Sequence, residues 1–240
     1  VLPRVGEVWR CGIITKYDKI PFTKLLGTLL IDRVSDTIVV GSITLLIFIF
    51  NFDFFVSFFA KNPALLEGFQ KMFDSIWIYV GAVILVVGIW FVFKYMSNFT
   101  LVQKAKALLL NVWDGMKSIW LLKQKGRFVA QTLMIWGGYF CYFYITFYAF
   151  DFTRDLGITV GLIAFTMSSI GVAVPVQAGI GAWHFMVIAT LVCFGVNEND
   201  AAAFALVVHT VQTVWTVLCG LFGIVALPLT NKETPAVVSE

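Results

Sequence analysis

Long stretches without a charged side chain constrain this sequence more than any other feature. No Asp, Glu, Lys, Arg or His occurs over 76–93 or 128–150, and His209 is the one such residue over 201–231. A helix needs about 20 apolar residues to cross the hydrocarbon core of a bilayer. Backbone amides in lipid must be hydrogen-bonded within the protein, which favours helices. We therefore expect an all-α, polytopic membrane protein with about four full spans plus a broken or re-entrant helix pair.

The composition favours the same class of protein. Hydrophobic residues make up 60% of the 240 residues and charged residues 13%, whereas a soluble domain is roughly half apolar and a quarter charged. A soluble globule of this length would expose the surplus apolar surface to water. The net charge of +3 is small, and we predict no nucleic-acid partner, no metal site and no cofactor.

The spacing of the apolar stretches predicts a single transmembrane domain over 1–230, followed by a polar tail at 231–240. The predicted spans are 37–59, 75–96, 128–150 and 201–228. Residues 1–35 precede them as an amphipathic or re-entrant segment, in which Pro21 separates two short helices near 4–14 and 22–35.

Between the second and third spans, residues 97–126 combine many lysines with apolar residues at helical spacing. This pattern predicts a cytoplasmic amphipathic helix that lies on the membrane surface. Lys and Arg concentrate in 1–36 and 94–127, and the positive-inside rule places both segments in the cytoplasm. We expect a multi-pass protein of the inner (plasma) membrane with a cytoplasmic C-terminus.

The stretch 156–197 predicts a broken hairpin, because it is interrupted by Pro175 and by the glycines Gly179 and Gly181. Its second half, 182–197, is shorter than the roughly 17 residues that a span requires. Two interpretations stay open: a re-entrant pair of half-helices around a binding site, or two complete spans joined by a tight cytoplasmic turn.

The break itself is the first candidate site. Gly179 and Gly181 leave the backbone accessible, and a helix begins directly after them, where free N–H groups favour an anion such as phosphate. His184, in the first turn, could donate to that anion. The alternative is that the glycines only form a turn and that His184 is a hydrogen-bonded structural residue.

Charged residues near the N-terminus form the second candidate site. Arg4, Glu7 and Arg10 recur every three residues and share one helix face, where two guanidinium groups could bind a lipid phosphate. Arg33 and Asp36 stand in the same register just before the first predicted span. The alternatives are a self-neutralised surface stripe for the first group and topology anchors for the second.

The last span carries a stripe of polar and small residues that includes His209 and Gln212. Such a stripe faces other helices rather than lipid. His209 and Gln212 could line a pathway, although helix packing explains the stripe equally well. No nucleophile–base pair is present in the sequence, so we predict no catalytic residue.

These motifs, in this order, resemble the transmembrane, flippase-like region of lysylphosphatidylglycerol synthases and their stand-alone relatives. The resemblance extends from Pro3 to about Pro228 and rests on three segments. They are Pro3-Arg4-Val5-Gly6-Glu7 with Arg10, Asp32-Arg33-x-x-Asp36, and Pro175-Val176-Gln177-Ala178-Gly179-Ile180-Gly181. The corresponding family patterns are R-x-G-E-x-x-R, E-R-x-x-D and P-x-x-G-G-x-G-x-x-E.

The chain departs from these patterns at three positions. Asp32 stands where the family often has Glu, Ala178 where it has Gly, and His184 where it usually has Glu. A histidine at that position removes a fixed negative charge. Family members usually have further helices before the first motif, so the resemblance implies that this sequence begins inside a longer protein.

The resemblance implies an integral membrane protein that handles phospholipids or other anionic lipid head groups across the bilayer. Twelve residues follow Pro228, too few for the soluble aminoacyl-transfer domain of bifunctional relatives, so we do not expect an enzyme. The expected partners are membrane lipids, above all anionic phospholipid. Two alternatives remain: a carrier of a small soluble anion, and a membrane docking subunit for a separate synthase or glycosyltransferase.

Overall fold

A computed structural model describes residues 5–95, 124–174 and 176–231, together with a few positions between 99 and 113. The described residues form helices and no strand, which confirms the all-α class. The helices are α1 (Val5–Asp18), α2 (Phe22–Phe50), α3 (Phe52–Lys61), α4 (Pro63–Asp74), α5 (Ile76–Tyr95), α6 (Lys125–Ile145), α7 (Gly157–Ala173), α8 (Ala182–Cys193) and α9 (Glu198–Thr230). A 3₁₀ turn, Thr146–Ala149, and a helical turn, Asp151–Arg154, connect α6 to α7.

Three helices in the described part of the chain are long and apolar enough to cross a membrane. They are α2, α6 with its 3₁₀ extension, and α9, of 29, 25 and 33 residues. Helix α5 adds 20 residues of similar character. Large apolar side chains on these helices are exposed, for example Phe50 and Phe222. A polytopic membrane protein presents such a surface to lipid.

The structure differs from the prediction for the first span. The sequence predicted a helix near 22–35 and a separate span over 37–59, but α2 is one helix from Phe22 to Phe50, and α3 begins after a break at Asn51. No proline interrupts α2, and Asp32, Arg33 and Asp36 have partners on α1 or α6. Paired charges do not end a helix, so the charges between 32 and 36 mark a contact rather than a boundary.

Helices α7 and α8 form the broken pair, and the described residues between them include a 3₁₀ turn at Gln177–Gly179. At 1.5 Å per residue, the 17 residues of α7 and the 12 of α8 are about 25 Å and 18 Å long. Both lengths are below the roughly 30 Å of a hydrocarbon core. The two helices pack closely, because Gly171 leaves room for the backbone at the start of α8.

Aromatic side chains hold α7 and α8 in the centre of the bundle. Phe143 of α6 and Phe204 of α9 contact each other, and Phe143 also contacts Phe165 and Trp183 of the broken pair. On the other side, phenylalanines of α3 pack with Ile163 and Met167 of α7. The helix pair is therefore enclosed by α3, α6 and α9. The predicted amphipathic helix at 97–126 and the tail after residue 231 lie almost entirely outside the described residues.

Candidate functional site

A cluster of charged side chains joins α1, α2 and α6. Arg10 of α1 lies 3.8 Å from Asp32, between its Nη2 and the carboxylate Oδ2. Glu7 of α1 lies 3.5 Å from Nε of Arg33. The turn between α1 and α2 contains Pro21 and a positive φ at Lys19, so α1 folds back beside α2. The three-residue spacing on α1 then directs both of its charged residues at α2.

Asp36 extends the cluster to α6. Its Oδ2 lies 3.3 Å from Nη1 of Arg33, and its Oδ1 accepts a hydrogen bond of 3.0 Å from Nε1 of Trp136. The sequence did not single out Trp136, because its partner is 100 residues away in the chain. A tryptophan within an apolar stretch does not indicate which residue it contacts. The sequence indicates only that a buried Trp N–H usually has a hydrogen-bond partner.

The ion pairs in this cluster are long. Their separations of 3.3 to 3.8 Å exceed the roughly 2.7–2.9 Å of a charge-assisted hydrogen bond. The Nε of Arg33 is shielded and donates no hydrogen bond to the described residues. The two guanidinium groups are therefore incompletely hydrogen-bonded, and an incoming oxyanion could compete for them.

The cluster forms part of the wall of a cavity of about 620 Å³. Arg10, Asp32, Arg33 and Asp36 line one part of this space. Other described lining residues come from α6, α7, the start of α8 and α9, and include Gln131, Tyr139, Ser168, Trp183, Gln212 and Thr216. The cavity thus combines charged, hydroxyl and amide groups with aromatic surfaces, within a bundle whose outer face is apolar.

The glycine break lies apart from the charged cluster. Gly179 and Gly181 have φ angles of +71° and +85°, values that side-chain-bearing residues rarely adopt. Gly181 directly precedes α8, as the sequence predicted. The described cavity wall includes Trp183 but neither glycine nor His184.

His184 instead faces α9. Its ring lies 4.4 Å from that of His209, centroid to centroid, and its Nδ1 is buried without a hydrogen-bond partner among the described residues. The ring of His209 also lies 5.1 Å from that of Trp183. Gln212, three residues further along α9, lines the cavity, whereas His209 contacts the start of α8.

The structure therefore brings together one part of the predicted head-group site. Glu7, Arg10, Arg33 and Asp36 form a single cluster, while Arg4 lies outside the described residues. Of the described residues at and directly after the glycine break, Trp183 is the one that lines the same cavity. Whether either part binds lipid stays a prediction.

Comparison with known proteins agrees with the architecture. No curated protein matches the sequence. No solved structure matches it either. The family described as lysylphosphatidylglycerol synthase TM region matches residues 1–220, which is most of the chain and includes the charged cluster, the broken pair and the cavity. On this match, the chain belongs to the lysylphosphatidylglycerol synthase transmembrane-region family.

Proposed function

We propose that this membrane protein assists the passage of phospholipid head groups across the bilayer, without catalysing a chemical reaction. The observation that carries the proposal is the charged cluster in the wall of the 620 Å³ cavity. A charge in the hydrocarbon core of a bilayer is costly, so charged residues inside a membrane bundle usually line a pathway for a polar substrate.

The cluster suits a head group that contains both a phosphate and a donor group. It has two guanidinium groups, of Arg10 and Arg33, and three carboxylates, of Glu7, Asp32 and Asp36. A lone anion would meet more negative than positive charge among these side chains. A phosphate could bind the guanidinium groups while hydroxyl or ammonium groups of the same lipid donate to the carboxylates.

The polar groups further along the cavity extend this site. Ser168 of α7 and Gln212 and Thr216 of α9 also line the cavity. The hydroxyl groups of Ser168 and Thr216 already donate to the carbonyls of Phe165 and Gln212, so they are left to accept from a head group. The side-chain amide of Gln212 can both donate and accept. Such hydrogen bonds would replace part of the hydration that a head group loses on leaving water. We also propose that the protein resides in the inner membrane with its C-terminus in the cytoplasm, as the distribution of Lys and Arg indicates.

Translocation of fluorescent lipid in proteoliposomes tests the proposal. Transport of phosphatidylglycerol and of a zwitterionic phospholipid is compared between the wild-type protein and Arg33→Gln. Loss of the guanidinium contact with phosphate should lower translocation roughly tenfold or more. The matched control is Arg154→Gln, because Arg154 forms a similar pair with the aspartate three residues before it, at 3.4 Å, outside the cavity.

The outcomes separate the proposal from its alternatives. Translocation that Arg33→Gln abolishes and Arg154→Gln preserves supports the head-group site. Uptake of a small soluble anion without lipid movement would identify an anion carrier instead. Neither activity, in protein that elutes as a folded species, would refute transport and favour a docking subunit for a synthase or glycosyltransferase.

A further inference from the structure

A second space adjoins the cavity. It is a groove of about 600 Å³ between α2 and α7, to which α6 contributes Trp136. Residues common to the walls of both spaces are Arg33, Asp36, Trp136, Ser169 and Val172. Because the charged cluster borders both, the groove begins where the head-group site ends.

The groove is chemically unlike the cavity. Past Asp36, helix α2 lines it mainly with apolar residues and a glycine, among them Val40, Gly41, Leu45 and Phe48. The wall also has three hydroxyl groups, of Thr37, Thr44 and Ser169. Two of them are already engaged, because Thr37 donates to the carbonyl of Arg33 and Ser169 to that of Phe165. The groove therefore offers a ligand mostly apolar surface.

The dimensions of the groove fit one leaflet of a bilayer. From Thr37 to Phe48, the rise along α2 is about 16 Å at 1.5 Å per residue. Half of a hydrocarbon core is about 15 Å thick. Leu45, Phe48 and Val172 line the groove and are exposed, so the groove is open and a chain from the surrounding lipid can enter it.

We propose that the groove binds an acyl chain of the same lipid whose head group occupies the cavity. The inference rests on the proposed function and adds where the lipid lies: the phosphate binds at Arg33 and one acyl chain lies along α2. The inference is based on the lining of the two spaces, which share a wall. Along α2, this lining changes from charged residues in the cavity to apolar residues in the groove. A free head group would leave the groove unfilled and would lose the contribution of apolar burial to binding.

Gly41 allows a specific block of the groove. A Cβ atom added to Gly41 would meet nothing within 4 Å. Gly41→Leu therefore projects a side chain into open space, and the helix itself gains about 1 kcal/mol of intrinsic preference over glycine. Gly223→Leu is the matched control, because Gly223 lies within α9, also has nothing within 4 Å, and does not line the groove.

The assay is photolabelling in phosphatidylcholine vesicles with phosphatidylglycerol that carries a diazirine in one acyl chain. Labelled residues are mapped by mass spectrometry. We expect saturable labelling of groove residues such as Leu45, which unlabelled phosphatidylglycerol competes away and glycerophosphoglycerol does not. Phe222, on the lipid-facing surface of α9, should label without saturation. Gly41→Leu should reduce groove labelling severalfold, and Gly223→Leu should leave it at the wild-type level.

Two results would overturn the inference. One is labelling of the groove that does not saturate, like the labelling of Phe222. The other is groove labelling that is the same in Gly41→Leu as in the wild-type protein. Cross-links between two copies of the chain through the groove would also overturn it. The proposed function is judged separately by the Arg33→Gln translocation assay. A loss of translocation in Arg33→Gln combined with unsaturable groove labelling would retain the head-group site and reject the acyl-chain site.

Discussion

The contact between α7 and α8 at Gly171 yields the sharpest prediction about stability. A Cβ atom on Gly171 would lie 2.9 Å from the carbonyl oxygen of Ala182 and 2.9 Å from Cα of Trp183. Favourable contacts between carbon atoms lie at about 3.5–4.0 Å. Because both neighbours are backbone atoms, no change of rotamer relieves the overlap. In Gly171→Ala, α8 must therefore move away from α7 by about 0.6 Å.

Two opposing terms set the size of the effect. Overpacking of a well-packed interior costs about 1–3 kcal/mol. Replacing glycine by alanine within a helix stabilises the helix by up to about 1 kcal/mol. We expect Gly171→Ala to lower the free energy of unfolding by about 1 kcal/mol, and by no more than about 2 kcal/mol. We also expect slower lipid translocation, because Trp183 lines the cavity and moves with α8.

Thermal unfolding in detergent, followed by a thiol-reactive dye, measures the change in stability. Cys11 is only 3% exposed and reacts when the fold opens. Cys141 and Cys219 are exposed and Cys193 is half-buried, so all three are replaced beforehand, in every variant, to remove the background signal. Gly138→Ala is the control, since Gly138 lies within α6 and a Cβ there meets nothing within 4 Å.

The control should be unchanged or slightly stabilised, because it gains helix preference without overlap. If Gly171→Ala unfolds at the same temperature as Gly138→Ala or above it, then steric overlap at the α7–α8 contact is not what determines stability there. Normal translocation in Gly171→Ala, together with unchanged stability, would also reject the role of this contact in positioning Trp183.

Three further substitutions test individual contacts by the same unfolding assay. Trp136→Phe removes the 3.0 Å hydrogen bond to Asp36 and should cost about 1 kcal/mol, an effect that should shrink when Asp36→Asn is already present. Lys61→Gln removes a 3.3 Å contact with the carbonyl of Val192 near the end of α8; because Lys61 is exposed, the cost should stay below about 1 kcal/mol. Thr153→Val removes a buried 2.7 Å hydrogen bond and should cost about 1–3 kcal/mol. An unchanged unfolding temperature would contradict the expectation for Trp136 or Thr153, and a cost above about 1 kcal/mol would contradict that for Lys61.

Local patterns in the sequence were sufficient to predict the all-α architecture and part of the candidate site. Uncharged stretches determine where helices can cross lipid, whatever their neighbours are. The three-residue spacing predicted that Glu7 and Arg10 share one helix face, and Pro21 predicted a second helix directly after α1; the ion pairs of that face with α2 were not predicted. Both features depend on residues that are close together in the chain.

Features that depend on distant residues could not be predicted in this way. The continuity of α2 through Asp32, Arg33 and Asp36 depends on partners on α1 and α6, and a charged residue without a known partner indicates a helix boundary instead. The contact of His184 with His209 depends on how α8 is rotated about its axis relative to α9. The groove is a space between α2 and α7, so its existence depends on how far apart these two helices pack.

The shortness of α7 and α8 has a consequence for the distance that a polar group must cross. At about 25 Å and 18 Å, both helices are shorter than a hydrocarbon core of about 30 Å. Because α3, α6 and α9 enclose them, protein rather than lipid makes up the difference. Non-helical backbone is tolerated at membrane depth where protein encloses it or where it lines a cavity. The described residues that join the two helices can therefore place polar backbone groups inside the bundle, and for the proposed transport this shortens the apolar part of the path.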